Sequence, residues 1–295
     1  MPRFRTQVEV VNLAFMRFVA HDGWAIASHI ALSALTSMFP FLILLTAVAG
    51  FFGGDTLADE SANLILEAWP REVGGPIAGE VHRVLGEQRR GVVTLGAVLA
   101  LYFSSSGVES LRVGLNRAYG LRETRAWWVT RLESIGYVLV AAVAMLSFAF
   151  LVVLGPLIWR FLVGLLPGLE PFGLTVAILR FGIATLLIVG ALVVAHKFIA
   201  AGRRRVRAVL PGIGATLVLW LIAGLGFGYY LANFSNAYAS TYGGLATAMI
   251  ALVFLYWLAA MFLFGGEING TVIAAKRRQL GKRRRPLYDD TIKVP

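Results

Sequence analysis

No cysteine occurs anywhere in the 295 residues. That excludes a disulfide framework, thiolate metal sites and a cysteine nucleophile, and leaves the redox compartment open. Charge is scarce too. Only 15% of the residues are charged, against about 25% in soluble domains. The four histidines (His21, His29, His82, His196) are scattered, with no H-E-x-x-H or other ligand spacing. No G-x-x-x-x-G-K-S/T phosphate loop exists, so the chain does not itself consume ATP. No serine sits in G-x-S-x-G. Converging His/Asp/Glu groups, which a nuclease or metallohydrolase needs, are missing. The expectation is no enzyme, no cofactor and no metal.

What the chain has is apolar length. Hydrophobic residues make up 58% and the mean hydropathy is +0.74, which marks a polytopic membrane protein. The first long apolar stretch, residues 24–52, exceeds the roughly 20 residues a spanning helix needs. It carries Pro40, which lacks an N–H and leaves the Thr36 carbonyl without its helical partner. In lipid such a group must be satisfied by protein, hydroxyls or water. His29, Ser33, Thr36, Ser37 and Pro40 fall at i, i+4, i+7, i+8 and i+11, one helical face. The expectation is a bent, polar stripe turned to the bundle interior. A plain proline kink with back-bonded hydroxyls is the alternative. Ala47-Val48-Ala49 resembles a cleavage site, but the apolar run is too long for a signal h-region. It reads as a retained signal anchor.

Residues 1–23 read as an amphipathic helix at the membrane surface, with Phe4, Val8, Val11, Phe15 and Phe18 spaced by three or four. Residues 54–90 form the one long polar connection, read as two short amphipathic helices on the outer face. Their acids read as a solvated surface. Further spans are expected at 92–110 (continuing as helix through Tyr119), 134–162 with a break at Gly155-Pro156, 172–195, 209–232 and 244–266 (continuing to about Ala275). Residues 233–242 read as an uncharged aromatic loop. Gly224 and Gly228 form a small-xxx-small pair suited to close helix contact. Residues 276–295 are a basic tail.

Charge then orients the chain. Twenty-one of the 27 Lys and Arg lie in the N-terminus, 111–133, 196–207 and the tail. The positive-inside rule puts these in the cytoplasm. The fold class is therefore all-α: a polytopic bundle of six transmembrane helices, both termini cytoplasmic, with short amphipathic helices in the first extracytoplasmic loop. Three regions follow: 1–23 interfacial, 24–275 membrane domain, 276–295 tail. The net charge of +11 then meets anionic lipid headgroups, not nucleic acid.

Few residues stand out. Arg180 lies about 12 Å into its span, where an unpaired guanidinium costs several kcal/mol. It either snorkels to the headgroups or meets freed carbonyls, water or an anionic substrate. Glu109, Arg112 and Asn116 share a face with Ser105, and Glu109 can pair with Arg112 at i, i+3. This is an interfacial ion pair or a gate. Glu267 and Asn269 stand just past the last span, and Glu267 is expected to lock onto Arg112 or Lys197, or to serve a substrate or proton path.

Ala31-Leu-Ser-Ala-Leu-Thr-Ser-Met-Phe-Pro40, Leu115-Asn-Arg-Ala-Tyr119, Leu210-Pro-Gly212, Tyr238-Ala-Ser-Thr-Tyr-Gly243 and Gly266-Glu-Ile-Asn269 together resemble the YihY/BrkB family over about residues 10–275. The family consists of bacterial inner-membrane proteins with six expected spans. It was long mislabelled ribonuclease BN, and the missing nuclease residues argue against that label here. The resemblance implies a cell-envelope role, with movement of lipids, lipopolysaccharide precursors or solutes. It brings no catalytic residues. The expectation is a translocator of an amphiphile or small anionic solute, with a non-transporting scaffold as the alternative.

Overall fold

The computed structural model describes residues 7–52, 90–151, 155–242 and 246–279. The two expected helices within 54–90 and the tail beyond Gln279 lie outside the described residues. All the described elements are helical. They are α1 (Gln7–Ala20), α2 (Gly23–Phe52), α3 (Arg90–Ala118), α4 (Trp127–Ala149), α5 (Gly155–Leu165), a 3-10 turn (Pro167–Phe172), α6 (Gly173–Val194), a π turn (Ala195–Ile199), α7 (Val206–Tyr242) and α8 (Ala246–Gln279).

Among the described residues five segments are long and apolar enough to cross a membrane: Gly23–Leu42, Trp127–Phe148, Gly168–Ile199, Val206–Tyr230 and Ala248–Lys276. Their outer surfaces are apolar, with Leu174, Ile178, Leu186, Leu221 and Leu225 all exposed. Lipid contact requires such a surface, whereas water would penalise it. α3 matches these helices in length, at 29 residues, but carries Ser104, Ser105, Ser106, Glu109, Arg112, Asn116 and Arg117. It packs along α2 and α4 and touches α8.

Local chemistry sets the helix ends. α3 stops at Gly120, whose φ of 62° suits a residue without a Cβ. Gly120 N–H donates to the Arg117 carbonyl and Leu121 N–H to the Asn116 carbonyl, the paired bonds of a Schellman cap. The third expected span starts earlier than its apolar run, at Trp127; α4 and α5 cover it, and residues 152–154 next to the expected break lie outside the described residues. The expected 233–242 loop is helical, because α7 runs on to Tyr242. That stretch holds neither Pro nor Gly to interrupt the helix.

The buried core gathers at one end of the bundle, around Phe18, Ile26, Leu115, Ile199, Val209 and Leu263. Here α1 packs on α8, α8 on α7 and α2, and the π turn on α3. Arg17, the 119–126 loop and the 200–205 loop also lie here, so this is the basic end.

Candidate functional site

At the basic end α3 presents its polar face to everything around it. Arg112 is 2% exposed. Its Nη1 donates to Glu109 Oε1 at 2.7 Å and to the Thr130 carbonyl at 2.9 Å, and its Nε to the Ile199 carbonyl at 3.1 Å. Nη2 lies 3.6 Å from Glu133 Oε2, an ion-pair distance too long for a hydrogen bond. Ser134 Oγ donates to the same Glu109 oxygen at 2.7 Å. Asn116 Oδ1 accepts from Ala201 N–H at 2.6 Å and its Nδ2 donates to Glu123. Arg125 closes the set by bonding Glu123, Glu133 and the Ile199 carbonyl. The Arg125 guanidinium holds the Glu123 carboxyl down at about 2. The Glu109, Arg112 and Asn116 face therefore pins the π turn to α3 and α4. A buried arginine is tolerable here because Nε and Nη1 meet oxygens and two carboxylates lie within ion-pair distance, although Nη2 is left without a hydrogen bond.

Glu267 sits 2% exposed. Its partners are Arg17, whose Nε donates to Oε2 at 3.1 Å, and His21, whose Nδ1 is 2.6 Å from Oε1. This corrects the expected pairing with Arg112 or Lys197. Arg112 is already held by carbonyls and Glu109, whereas α1 folds back along α8 and delivers Arg17. Arg17 Nη2 also reaches the Ala118 carbonyl, at 3.2 Å, tying α1, α3 and α8 together.

Asn269 works two residues further along α8. Its Oδ1 accepts from Gly212 N–H at 2.7 Å, and its Nδ2 donates to Tyr119 Oη at 3.3 Å. Tyr119 Oη in turn lies 3.0 Å from Nδ1 of His196, which is fully buried against Phe262. Burial pushes the Tyr119 phenol up to about 12. The Arg204 guanidinium lies over the Tyr119 ring and donates to the carbonyls of His196, Lys197, Ala200 and Ala201. It satisfies the orphan carbonyls where α6 ends. Glycines allow this closeness. A Cβ on Gly212 would collide with the Gly265 carbonyl, and one on Gly270 with the Ala118 carbonyl.

The α2 stripe is only partly interior. Ser37 is buried, Ser33 and Pro40 are half-buried, and His29 and Thr36 are exposed. This corrects the expectation of a wholly inward stripe: α3 covers only its Ser33–Ser37 flank. Ser110 Oγ donates to Ser33 Oγ at 2.8 Å, with His29 Nε2 at 3.3 Å. Thr36 Oγ1 bonds the carbonyls of Leu32 and Ser33, and Ser37 Oγ that of Ala34. The helix runs unbroken through Pro40.

Arg180 is half-buried in α6. Its guanidinium carbon lies 4.7 Å from the Phe181 ring centroid. Its stem passes Gly155, where an added Cβ would be 3.2 Å from Arg180 Cδ. Its Nε is buried without a hydrogen-bond partner. It makes no bond to the α2 stripe. α6 packs on α4 and α7, while α2 packs on α3, α8, α4 and α1. Sequence reasoning missed Arg17, His21, Tyr119, His196 and Glu123 as partners. The quoted Leu115–Tyr119 motif was the available signal for Tyr119; the others carry none.

An all-helical membrane protein, pinned at one end by buried ion pairs and close glycine contacts, is thus defined. The chain belongs to the virulence factor BrkB family, whose profile matches residues 14–287. It is 26% identical over 268 residues to a ribonuclease-like protein, YfkH, of Bacillus subtilis, covering 90% of this chain and 95% of that one. It is 28% identical over 279 residues to a UPF0761 membrane protein of Rhodospirillum centenum, covering 92% of this chain and 59% of that longer protein. A UPF0761 membrane protein of Tolumonas auensis is 33% identical over 87 residues, 30% of this chain and 28% of that one. No solved structure matches.

Proposed function

We propose that the protein is a six-span protein of the bacterial inner membrane, both termini cytoplasmic, that moves a lipid-like or small anionic solute across it. α3 serves as the sixth span: it packs against two apolar helices of spanning length, α2 and α4. The gathering of Arg17, Arg122, Arg125, Arg203, Arg204, Arg205 and Lys276 at one end supports the orientation. Anionic lipid headgroups are the natural partner of that end, and nucleic acid is not.

Arg180 carries the reading. It stands about 11 Å into α6, its Nε is buried and unpartnered, and its stem lies beside Gly155, the first residue of α5. A cation in that setting is costly unless an anion visits it. The test is reconstitution in vesicles with labelled anionic lipids and small anions. Arg180→Gln should abolish most of the flux; a variant moving every candidate as well as wild type would sink the mechanism.

A non-transporting scaffold is the second reading. It is favoured by α1, whose Val8, Val11 and Phe15 stay exposed while Glu267 holds the helix in place. Crosslinking in cells to one dominant envelope protein, with no flux in vesicles, would support it. We further propose that the chain is not a nuclease, despite the word in one relative's name. Among the described acids Asp22, Glu109, Glu123, Glu133 and Glu267 pair with arginines or a histidine, and no three His, Asp or Glu converge as a metal-binding group.

A further inference from the structure

We infer that Arg131 binds the phosphate of an anionic phospholipid on the outward face of α3. The side chain points the unexpected way. Arg131 follows Thr130, whose carbonyl lies level with Arg112, near the exposed Trp127 and Trp128 that mark an interface. A membrane arginine there normally snorkels to that interface. Arg131 instead reaches away from the basic end. Its Nη2 donates to the Tyr102 carbonyl at 2.6 Å and its guanidinium lies 3.9 Å from the Tyr102 ring centroid. Tyr102 precedes the end of α3 by sixteen residues, about 24 Å of helix.

The guanidinium is held there without a counter-ion. Among the described residues no carboxylate lies within ion-pair distance of it, whereas Arg17, Arg112, Arg117 and Arg125 each have one. Its Nε is buried and unpartnered. Carbonyl and ring orient the group but leave its charge unneutralised.

The surroundings suit an amphiphile. Tyr102, Ser106 and Ser110 stand at i, i+4 and i+8, one stripe of α3. Ser33 and His29 on α2 close the stripe at Ser110. Exposed Val98, Leu99 and Phe103 flank it, offering an apolar bed for acyl chains. A free anion would have to shed its water to arrive at this depth. A lipid brings its own apolar anchor to this bed, and the fork geometry of arginine matches its phosphate oxygens.

The site rests on α3 crossing the membrane, which is tested separately. Because the chain has no cysteine, Ser106→Cys gives a single reporter. It should resist a membrane-impermeant maleimide in intact membranes; rapid labelling would sink the six-span reading and this site together. Binding itself is read by native mass spectrometry of the purified protein with phosphatidylglycerol, diacylglycerol or inorganic phosphate. Wild type should retain phosphatidylglycerol and release diacylglycerol. Arg131→Gln should lower retention at least tenfold, and a control at the exposed Arg160 of α5, Arg160→Gln, should not. If Arg131→Gln fails to fold, Arg131→Lys, which keeps the charge but loses the fork, should still lower retention severalfold. Equal retention by the folded Arg131 variants, equal retention of diacylglycerol, or displacement by inorganic phosphate would each overturn the assignment. With Ser106→Cys shielded, such a result would leave the six-span reading intact.

Discussion

Tyr119 Oη lies 3.0 Å from His196 Nδ1, and the direction of that hydrogen bond is set by a third helix. Gly212 N–H must donate, so Asn269 Oδ1 accepts and its Nδ2 donates to Tyr119 Oη. The phenol proton is then left for His196 Nδ1. The imidazole carries its proton on Nε2, the atom that is buried without a partner. The tautomer is thus inferred from the network.

Tyr119→Phe tests this chain. It strips the donor from His196 Nδ1 and the acceptor from Asn269 Nδ2, and an unsatisfied buried group costs about 1–3 kcal/mol. A lower Tm in detergent is expected. Nitrogen NMR of the wild-type imidazole should show the proton on Nε2; the other tautomer would contradict the bond order argued above.

Two glycines of α7 should respond oppositely to alanine. At Gly212 the new methyl meets the Gly265 carbonyl and Asn269, and overpacking costs about 1–3 kcal/mol or more. At Gly214 nothing lies within 4 Å, and alanine gains up to about 1 kcal/mol of helix preference. Thermal unfolding of the pair measures the difference. Similar losses at both positions would mean that α7 and α8 do not cross at Gly212.

Glu267→Gln should release α1. Removing one member of a buried ion pair costs about 3–5 kcal/mol, reduced here because Arg17 and His21 are each about a quarter exposed. Hydrogen exchange should accelerate in Gln7–Ala20 and little elsewhere. Unchanged exchange in α1 would show that apolar packing of Ala14 and Phe18 alone holds the helix.

Acid should loosen the loop between α3 and α4. Glu123 is held at about 2, below its ordinary 4.5, first by hydrogen bonding to Arg125. A lowered carboxyl contributes stability above its unfolded value, and that contribution is lost as pH falls through the folded one. Amide exchange at Ala201, which donates to Asn116, should therefore rise between about pH 4.5 and pH 2. Glu123→Gln should remove that pH dependence; an identical acid profile in the variant would assign it to another group.

Much of the helical plan was legible, because hydropathy and the proline and glycine breaks are local. The Glu109–Arg112 pair was legible for the same reason, being one turn of one helix. The partners of Glu267 were not, since Arg17 and His21 lie about 250 residues away in sequence. Arg131 counted only as one loop cation, because a linear pattern cannot tell a side chain that snorkels from one that reaches the other way.

By itself, then, the sequence determined that the chain is an apolar helical membrane protein with its basic residues gathered into a few segments. Both properties depend only on composition along a line. The tertiary structure alone decided which charges neutralise one another, which glycines permit helix contact and which arginines stand without a counter-ion. Those outcomes depend on how helices distant in sequence meet, at distances where 1 Å separates a bond from none.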